Sequence, residues 1–250
     1  MKETVLSYLS PSCPFRGSLH YYEVLDSTNT KAKSLAKAGA PHGTAVIAGS
    51  QTGGRGRMGR QFASPAGSVY LSVILRPQKP AGQLMHLTCA AAVAACQAIK
   101  QVAGIRPGIK WINDLVIDQK KLGGILTEMS IDPKTQLVEY ATIGIGINCL
   151  RVPEEVADMA TCLGIRPEPV CAALIEEFSQ LDLDNPETLR LRYKQHCITL
   201  GQTVKILGTD TIGTAVDITS DGALVMALAD GNTLTVNSGE VSVRGMYGYV

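Results

Sequence analysis

Four short segments concentrate the residue types that bind anions and flat polar molecules. Gly53-Gly54-Arg55-Gly56-Arg57-Met58-Gly59-Arg60 sets three arginines among four glycines. Glycines let the backbone approach a ligand closely, and guanidinium groups match carboxylate and phosphate. The segment lacks the Gly-Lys-Ser/Thr ending of a P-loop and the glycine spacing of the dinucleotide fingerprint. It reads as a different anion-binding loop, or as a basic Arg-Gly surface segment. Lys110-Trp111-Ile112-Asn113-Asp114 places charge, an amide and an indole between apolar runs. Asn-Asp alone suits a turn, but a turn does not account for Lys110 and Trp111. Asp114 could hold a phosphate-bound magnesium or orient a neighbouring cation.

Lys120-Lys121-Leu122-Gly123-Gly124-Ile125-Leu126-Thr127-Glu128 opens an apolar strand with two lysines and two glycines. Strand glycines often mark close approach of a ligand or another backbone, and a lysine there supplies a point charge. Paired surface lysines are also common. In Gly144-Ile145-Gly146-Ile147-Asn148, strand alternation puts Ile143, Ile145 and Ile147 on one face. Gly144, Gly146 and Asn148 take the other, leaving room for a flat ligand or for a tight strand crossing.

The elements that must position these residues follow from pattern. Strands are expected over 21–25, 43–50, 69–75, 110–114, 115–118, 122–129 and 139–148. Helices are expected over 30–38, 80–102, 170–181 and 186–195, the first behind the N-cap types Asp26-Ser27-Thr28-Asn29. After residue 199 five short β segments follow, over 203–207, 212–218, 223–228, 233–236 and 241–244. Asp221-Gly222 and Asp230-Gly231 mark hairpins between them. The reading is α+β, divided into a lead over 1–20, a mixed-sheet domain over 21–198 and a small SH3-like β-barrel over 199–250.

Composition narrows the function. The 250 residues carry a net charge of +1, with one Trp, three Phe and eight Tyr. This gives neither the basic excess nor the stacking platform of a nucleic-acid binder. Residues 84–99 are the most membrane-like stretch, but His86, Thr88 and Gln97 and the short length favour a buried helix. No signal-peptide pattern is seen. The seven cysteines form no Cys-x-x-Cys pair, which suits a reducing cytoplasm. The four histidines lie far apart and are read as structural or solvated.

Taken in order, Asp26-Ser27-Thr28-Asn29, Gln51 with Gly54-Arg55-Gly56-Arg57, Lys110 to Asp114, Lys121 to Glu128 and Gly144 to Asn148 resemble the biotin–protein ligases. The likeness runs over residues 21–244 and includes the small β unit. It implies the class II synthetase/biotin–lipoate ligase fold and the activity of a biotin–[acetyl-CoA-carboxylase] ligase. Such an enzyme forms biotinyl-5′-AMP from biotin and ATP with Mg2+, releases pyrophosphate, and transfers biotin to a lysine. The acceptor is a biotin carboxyl carrier domain of acetyl-CoA carboxylase or another biotin-dependent enzyme.

By residue, the resemblance implies that Ser27, Thr28, Asn29 and Gln51 bind biotin. Arg55, Gly56 and Arg57 close over it, and Lys121 meets its carboxylate and the phosphate. Gly54, Arg55, Arg57, Phe62, Asn113, Lys121, Asn148 and Arg244 lie on the ATP or adenylate side, and Asp114 is the metal-side carboxylate. Arg57, Lys121 and Asp114 are the residues expected to carry catalysis. Ile112 stands where the family motif has Pro, which implies altered local rigidity.

Lipoate–protein ligases and octanoyltransferases share this architecture and are the nearest alternative. A nucleic-acid-binding module is the non-enzymatic one. The short lead leaves no room for the N-terminal DNA-binding domain of family members that double as repressors, so no DNA or membrane partner is expected. A homodimer through an exposed sheet edge is compatible with the sequence.

Overall fold

The computed structural model describes residues 1–237 and the strand backbone of Val243–Gly245. Seven strands form the main sheet: β1 (Leu19–Leu25), β2 (Ala45–Gln51), β3 (Val69–Leu75), β4 (Gly108–Lys110), β5 (Asp114–Ile117), β6 (Lys120–Ile131) and β7 (Val138–Ile147). Their order is β1-β2-β3-β7-β6-β5-β4. β1 and β2 run parallel and every other neighbour runs antiparallel. The helices are α1 (Lys2–Tyr8), α2 (Thr28–Lys37), α3 (Leu87–Ala103), α4 (Pro167–Ser179) and α5 (Pro186–His196).

Strand alternation divides the core. Ile47, Leu71, Val73, Ile143 and Ile145 bury against the α3–α4 layer, while Val46, Ile74 and Tyr140 pack with Ala32 and Ala36 of α2. The α2 face therefore carries the residues that alternate with that core: Ser72, Gly144 and Gly146. All the clustered chemistry lies on this side.

Several expectations shift. The lead over 1–20 does not stand apart. It forms α1, and Val5, Leu9, Cys13 and Phe15 join the main core. A seven-residue helix is too short to hold itself by propensity, so burial of Val5 and Leu9 does so. The helix expected from residue 30 begins at Thr28, because Ser27 is its N-cap, accepting from the Thr30 N–H. The helix expected over 80–102 is broken. A 3₁₀ turn at Ala81–Leu84 precedes α3, which ends at left-handed Gly104. Together they span 23 residues, long and apolar enough to cross a membrane, yet 72% of the most apolar window is buried inside the fold. Residues 110–114 are not one strand. β4 ends at Lys110, residues 111–113 turn, and Asp114 opens β5. The Trp111–Ile112 peptide bond is cis.

The second sheet is antiparallel: β8 (Thr203–Ile206), β9 (Ile212–Ile218), β10 (Leu224–Ala227), β11 (Thr233–Val236) and β12 (Val243–Gly245), ordered β11-β10-β9-β8-β12. Its Asp221-Gly222 turn docks on the main sheet's helices. Trp111 Nε1 donates to the Gly222 carbonyl at 2.9 Å, and the Trp111 N–H donates to Thr199 Oγ1 at 2.8 Å. A Cβ at Gly222 would lie 2.8 Å from Cys89 Sγ, and its φ is +84°. Gly222→Ala should therefore lower stability by about 1–3 kcal/mol, measured by urea unfolding.

Candidate active site

The site is a cleft of about 130 Å³ on the α2 face of the main sheet. Its floor is the glycine face of β7 and β6. A Cβ at Gly144 would sit 2.1 Å from Asn29 Oδ1, and one at Gly146 would sit 2.5 Å from the Phe62 ring. Only hydrogen fits at either place, so Asn29 and Phe62 lie flat against the strand.

One end of the cleft is neutral and tightly wired. Gln51 Oε1 accepts from the Thr28 N–H at 2.8 Å and lies 3.1 Å from Thr28 Oγ1, while Gln51 Nε2 donates to Ser64 Oγ at 2.9 Å. The Ser72 hydroxyl lies 2.8 Å from Thr28 Oγ1 and 2.6 Å from Asn29 Oδ1. Asn29 Nδ2 donates to the Leu126 carbonyl and to Glu128 Oε2, and Glu128 Oε1 accepts from Lys33 Nζ at 2.6 Å. Ser27, Thr28 and Asn29 are all buried.

The other end is cationic. Lys121 Nζ donates to Asp114 Oδ1 at 2.7 Å and stands 5.9 Å from the Phe62 ring centroid, a cation–π distance. Arg57 turns inward and donates to Asn113 Oδ1 at 3.1 Å. Burial holds its guanidinium below the usual range, Asp114 pulls it back up and Arg60 depresses it further. An arginine so placed stays charged.

The glycine–arginine loop is pinned by its own backbone. The Gly56 N–H donates to the Arg60 carbonyl and the Phe62 N–H to the Gly54 carbonyl. A Cβ at Gly54 would lie 2.3 Å from the Phe62 carbonyl oxygen, so this glycine is required for the close crossing.

Most of the expected residues meet here: Ser27, Thr28, Asn29, Gln51, Arg55, Gly56, Arg57, Phe62, Asn113, Asp114 and Lys121 all line the cleft. Gly54 supports it from below. Asn148 lies next door, in a cavity of about 220 Å³ shared with Phe62 and Lys121, and its Nδ2 donates to the Thr161 carbonyl. The Arg244 side chain is outside the described residues.

Two residues behave differently from their sequence neighbours. Trp111 points away from the cleft, into the contact with Gly222. Asn29 has both amide hydrogens engaged and its oxygen bonded, so it braces the cleft wall. Ser72, Ser64, Glu128 and Arg60 were not singled out as site residues. Ser72, one serine in the otherwise apolar Val69–Leu75, was the available signal.

Among the described residues no group of three or more His, Cys, Asp or Glu could hold a metal. Asp114 is the one carboxylate among those lining the cleft. Such a site suits a cation held mostly by a ligand's own oxygens.

A mixed sheet, a polar pocket and a cationic glycine loop on one face define an enzyme-like site for an acid and a nucleotide. Residues 21–148 match the model of the Biotin/lipoate A/B protein ligase family, and residues 199–244 match the Biotin protein ligase C terminal domain. The chain belongs to the Biotin/lipoate A/B protein ligase family.

It is 31% identical to the Biotin--[acetyl-CoA-carboxylase] ligase of Mycobacterium tuberculosis, over 86% of this chain and 85% of that one. It is 47% identical over 150 residues to the Bifunctional ligase/repressor BirA of Bacillus subtilis, covering 58% of this chain but only 46% of that relative's length. The biotin protein ligase from Aquifex aeolicus, solved in complex with biotin and ATP, superposes with a TM-score of 0.76 at 28% identity. That match covers 91% of this chain and 99% of the other.

Gly144→Ala should push Asn29 off the strand and loosen Ser72 and Thr28 with it. The expected result is a folded protein about 1–3 kcal/mol less stable, with ligand affinity at the neutral end reduced. Thermal unfolding and calorimetric titration check the two effects.

Proposed function

We propose that the chain is a biotin–protein ligase of the biotin–[acetyl-CoA-carboxylase] type. Its substrates are biotin and ATP, and its acceptor is a lysine on the biotin carboxyl carrier domain of a biotin-dependent carboxylase. A reducing cytoplasm suits its free cysteines, all but Cys162 buried. The observation that carries this reading is the two-ended cleft. Ser27, Thr28 and Gln51 offer matched donors and acceptors at one end, and Lys121, Arg55 and Arg57 offer charge at the other. Between them Gly124, Ile125, Leu126 and the glycine face form a mostly apolar passage. Biotin has this layout: a ureido head, an apolar chain and a carboxylate. A lipoyl dithiolane would leave the polar end unpaired, which a buried site penalises.

In the first step the biotin carboxylate oxygen attacks the α-phosphorus of ATP. The bond from that phosphorus to the bridging oxygen breaks, and pyrophosphate leaves. Bringing two anions together needs positive charge more than a protein nucleophile. Lys121 and Arg57 supply it, offsetting the repulsion and the charge that builds on phosphorus. Magnesium bound to the triphosphate would add charge neutralisation there, with Asp114 and Asn113 as the protein's oxygens beside it. Phe62 and the cavity holding Asn148 offer a surface for adenine. In the second step the acceptor lysine amine attacks the acyl carbon, AMP leaves and the amide forms as the amine loses its proton. Asp114 stands close enough to Lys121 to share in taking it. The Gly-Arg loop keeps water from the mixed anhydride meanwhile.

The deciding experiment incubates the protein with ATP, magnesium and either biotin or lipoate, and detects the acyl-adenylate by mass. A lipoyl product alone would overturn the reading. Lys121→Ala should slow biotin-dependent pyrophosphate release by roughly 10²–10³-fold, measured with a coupled phosphate assay. Arg57→Gly should release the adenylate and label exposed lysines without acceptor specificity. Mass mapping of biotin on a bystander protein checks this, and labelling confined to the acceptor would contradict loop closure.

A further inference from the structure

We propose that Tyr193 of α5 is a positioning residue for the first chemical step: its hydroxyl fixes the peptide that leads into Asn113, and through Asn113 it sets where the Arg57 guanidinium stands. The inference deepens the proposed function and rests on it, since that reading assigns Arg57 to the charge that builds on phosphorus.

Arg57 comes from a loop of glycines, and a long side chain on such a loop needs a partner to place it. Asn113 Oδ1 accepts from Arg57 Nη1 at 3.1 Å. Asn113 faces Arg57 with its oxygen because its nitrogen is committed elsewhere. Nδ2 donates to the Ile125 carbonyl at 3.1 Å and to Asp114 Oδ1 at 3.2 Å. The backbone beneath Asn113 is held on one side by β6, where the Ile125 N–H donates to the Asn113 carbonyl at 2.9 Å. On the other side is the Ile112–Asn113 peptide, within the turn at residues 111–113. Its oxygen, the Ile112 carbonyl, accepts from the Tyr193 hydroxyl at 3.2 Å, from 81 residues away in the chain. Among the described residues no other donor meets this carbonyl. A peptide unit is planar, so holding its oxygen fixes the plane from which the Asn113 side chain departs.

Tyr193 suits this task. It is fully buried, and its ring is part of the main core. A phenylalanine ring would fill the same space, so packing does not call for the hydroxyl. Burial pushes that hydroxyl far above the ordinary phenol range, Cys197, Cys89 and Cys96 add to the rise, and Arg57 opposes it. It therefore keeps its one hydrogen and remains a donor. The Cys197 thiol lies beside it, but sulfur is a weak acceptor next to a carbonyl, so the hydrogen goes to Ile112.

The test compares unaltered protein with Tyr193→Phe, which keeps the ring and removes the donor, and with Tyr193→4-aminophenylalanine, which returns a weaker donor. Biotin-dependent pyrophosphate release and the dissociation constant for biotin are measured for each, alone and combined with Asn113→Ala. Tyr193→Phe should bind biotin within about twofold of the unaltered protein. At saturating ATP it should release pyrophosphate about 10–100-fold more slowly. The amino variant should recover part of that loss. Beside Asn113→Ala either change should add less than about a twofold loss, because the path is already cut. A role in packing alone gives the opposite signature: losses that multiply with that of Asn113→Ala, an amino variant no faster than phenylalanine, or biotin affinity that falls in step with the rate. Any of these overturns the inference, as does an unchanged rate in Tyr193→Phe. If Tyr193→Phe does not fold, the amino variant takes its place in the cycle. Its smaller loss must likewise vanish beside Asn113→Ala, and a loss that multiplies overturns the inference. Unaltered protein that releases no pyrophosphate with biotin and ATP overturns the proposed function itself, and this inference with it.

Discussion

Two missing side chains on β7 govern the site. A central strand ordinarily fills the space above it on both faces. At Gly144 and Gly146 that space is left to Asn29 and Phe62, which arrive from α2 and from the glycine–arginine loop. The two positions are neighbours on one pleat, about 7 Å apart along the strand. That spacing sets a neutral, hydrogen-bonded end beside a cationic end with no partition between them. It also ties the loop to the sheet, because the residue whose ring rests on Gly146 belongs to the segment that carries Arg57.

The two ends are held by opposite means. At the neutral end the side chains from Ser64 to Lys33 are linked to one another by hydrogen bonds, while Ser27, Thr28 and Gln51 still face the cleft. A buried network wired in this way is rigid and specifies one arrangement. At the cationic end the partners are ones a substrate can replace. Lys121 is about a third exposed and paired with Asp114, and Arg57 rests on an amide oxygen. An unpaired buried cation is destabilising, so Asn113 and Asp114 keep these charges in place until an anion exchanges for them. Recognition is preorganised where the ligand is neutral, and exchangeable where charge must move during reaction.

The sequence revealed the periodic elements well. Nearly every strand of both sheets lies within a few residues of its pattern, and the Asp221-Gly222 turn falls between β9 and β10. The alternation of Gly144 and Gly146 was legible as a face because strand period is strict. What escaped was whatever depends on partners distant in sequence. Residues 2–8 become a helix only because the main core accepts Val5 and Leu9. Trp111 sits two residues before Asn113 and Asp114, which line the cleft, and adjacency could not say that its indole turns the other way. Asn29 was read as a ligand contact with Ser27 and Thr28 and lines the cleft with them, but its bonds to Ser72, Leu126 and Glu128 were not legible. Ser72 and Glu128 lie 43 and 99 residues from Asn29, and no local pattern links them.

Trp111 also explains how the second sheet bears on a cleft that its described residues do not line. Residues 111–113 form the turn that leads into Asp114 at the start of β5, and a turn has no ladder of its own to hold it. Behind it, Tyr193 of α5 donates to the Ile112 carbonyl at 3.2 Å, Thr199 accepts from the Trp111 N–H, and Gly222 accepts from the indole. Three bonds from two units thus fix the residues just before the pair that engages Arg57 and Lys121. The ion pairs from Arg190 and Lys194 to Asp217 fasten the same two units at their rim, where each is worth little alone. The buried indole and the glycine that admits it set the distance between the small sheet and the turn. The small sheet therefore acts on the cationic end through position, by holding the backbone that presents Asn113 and Asp114.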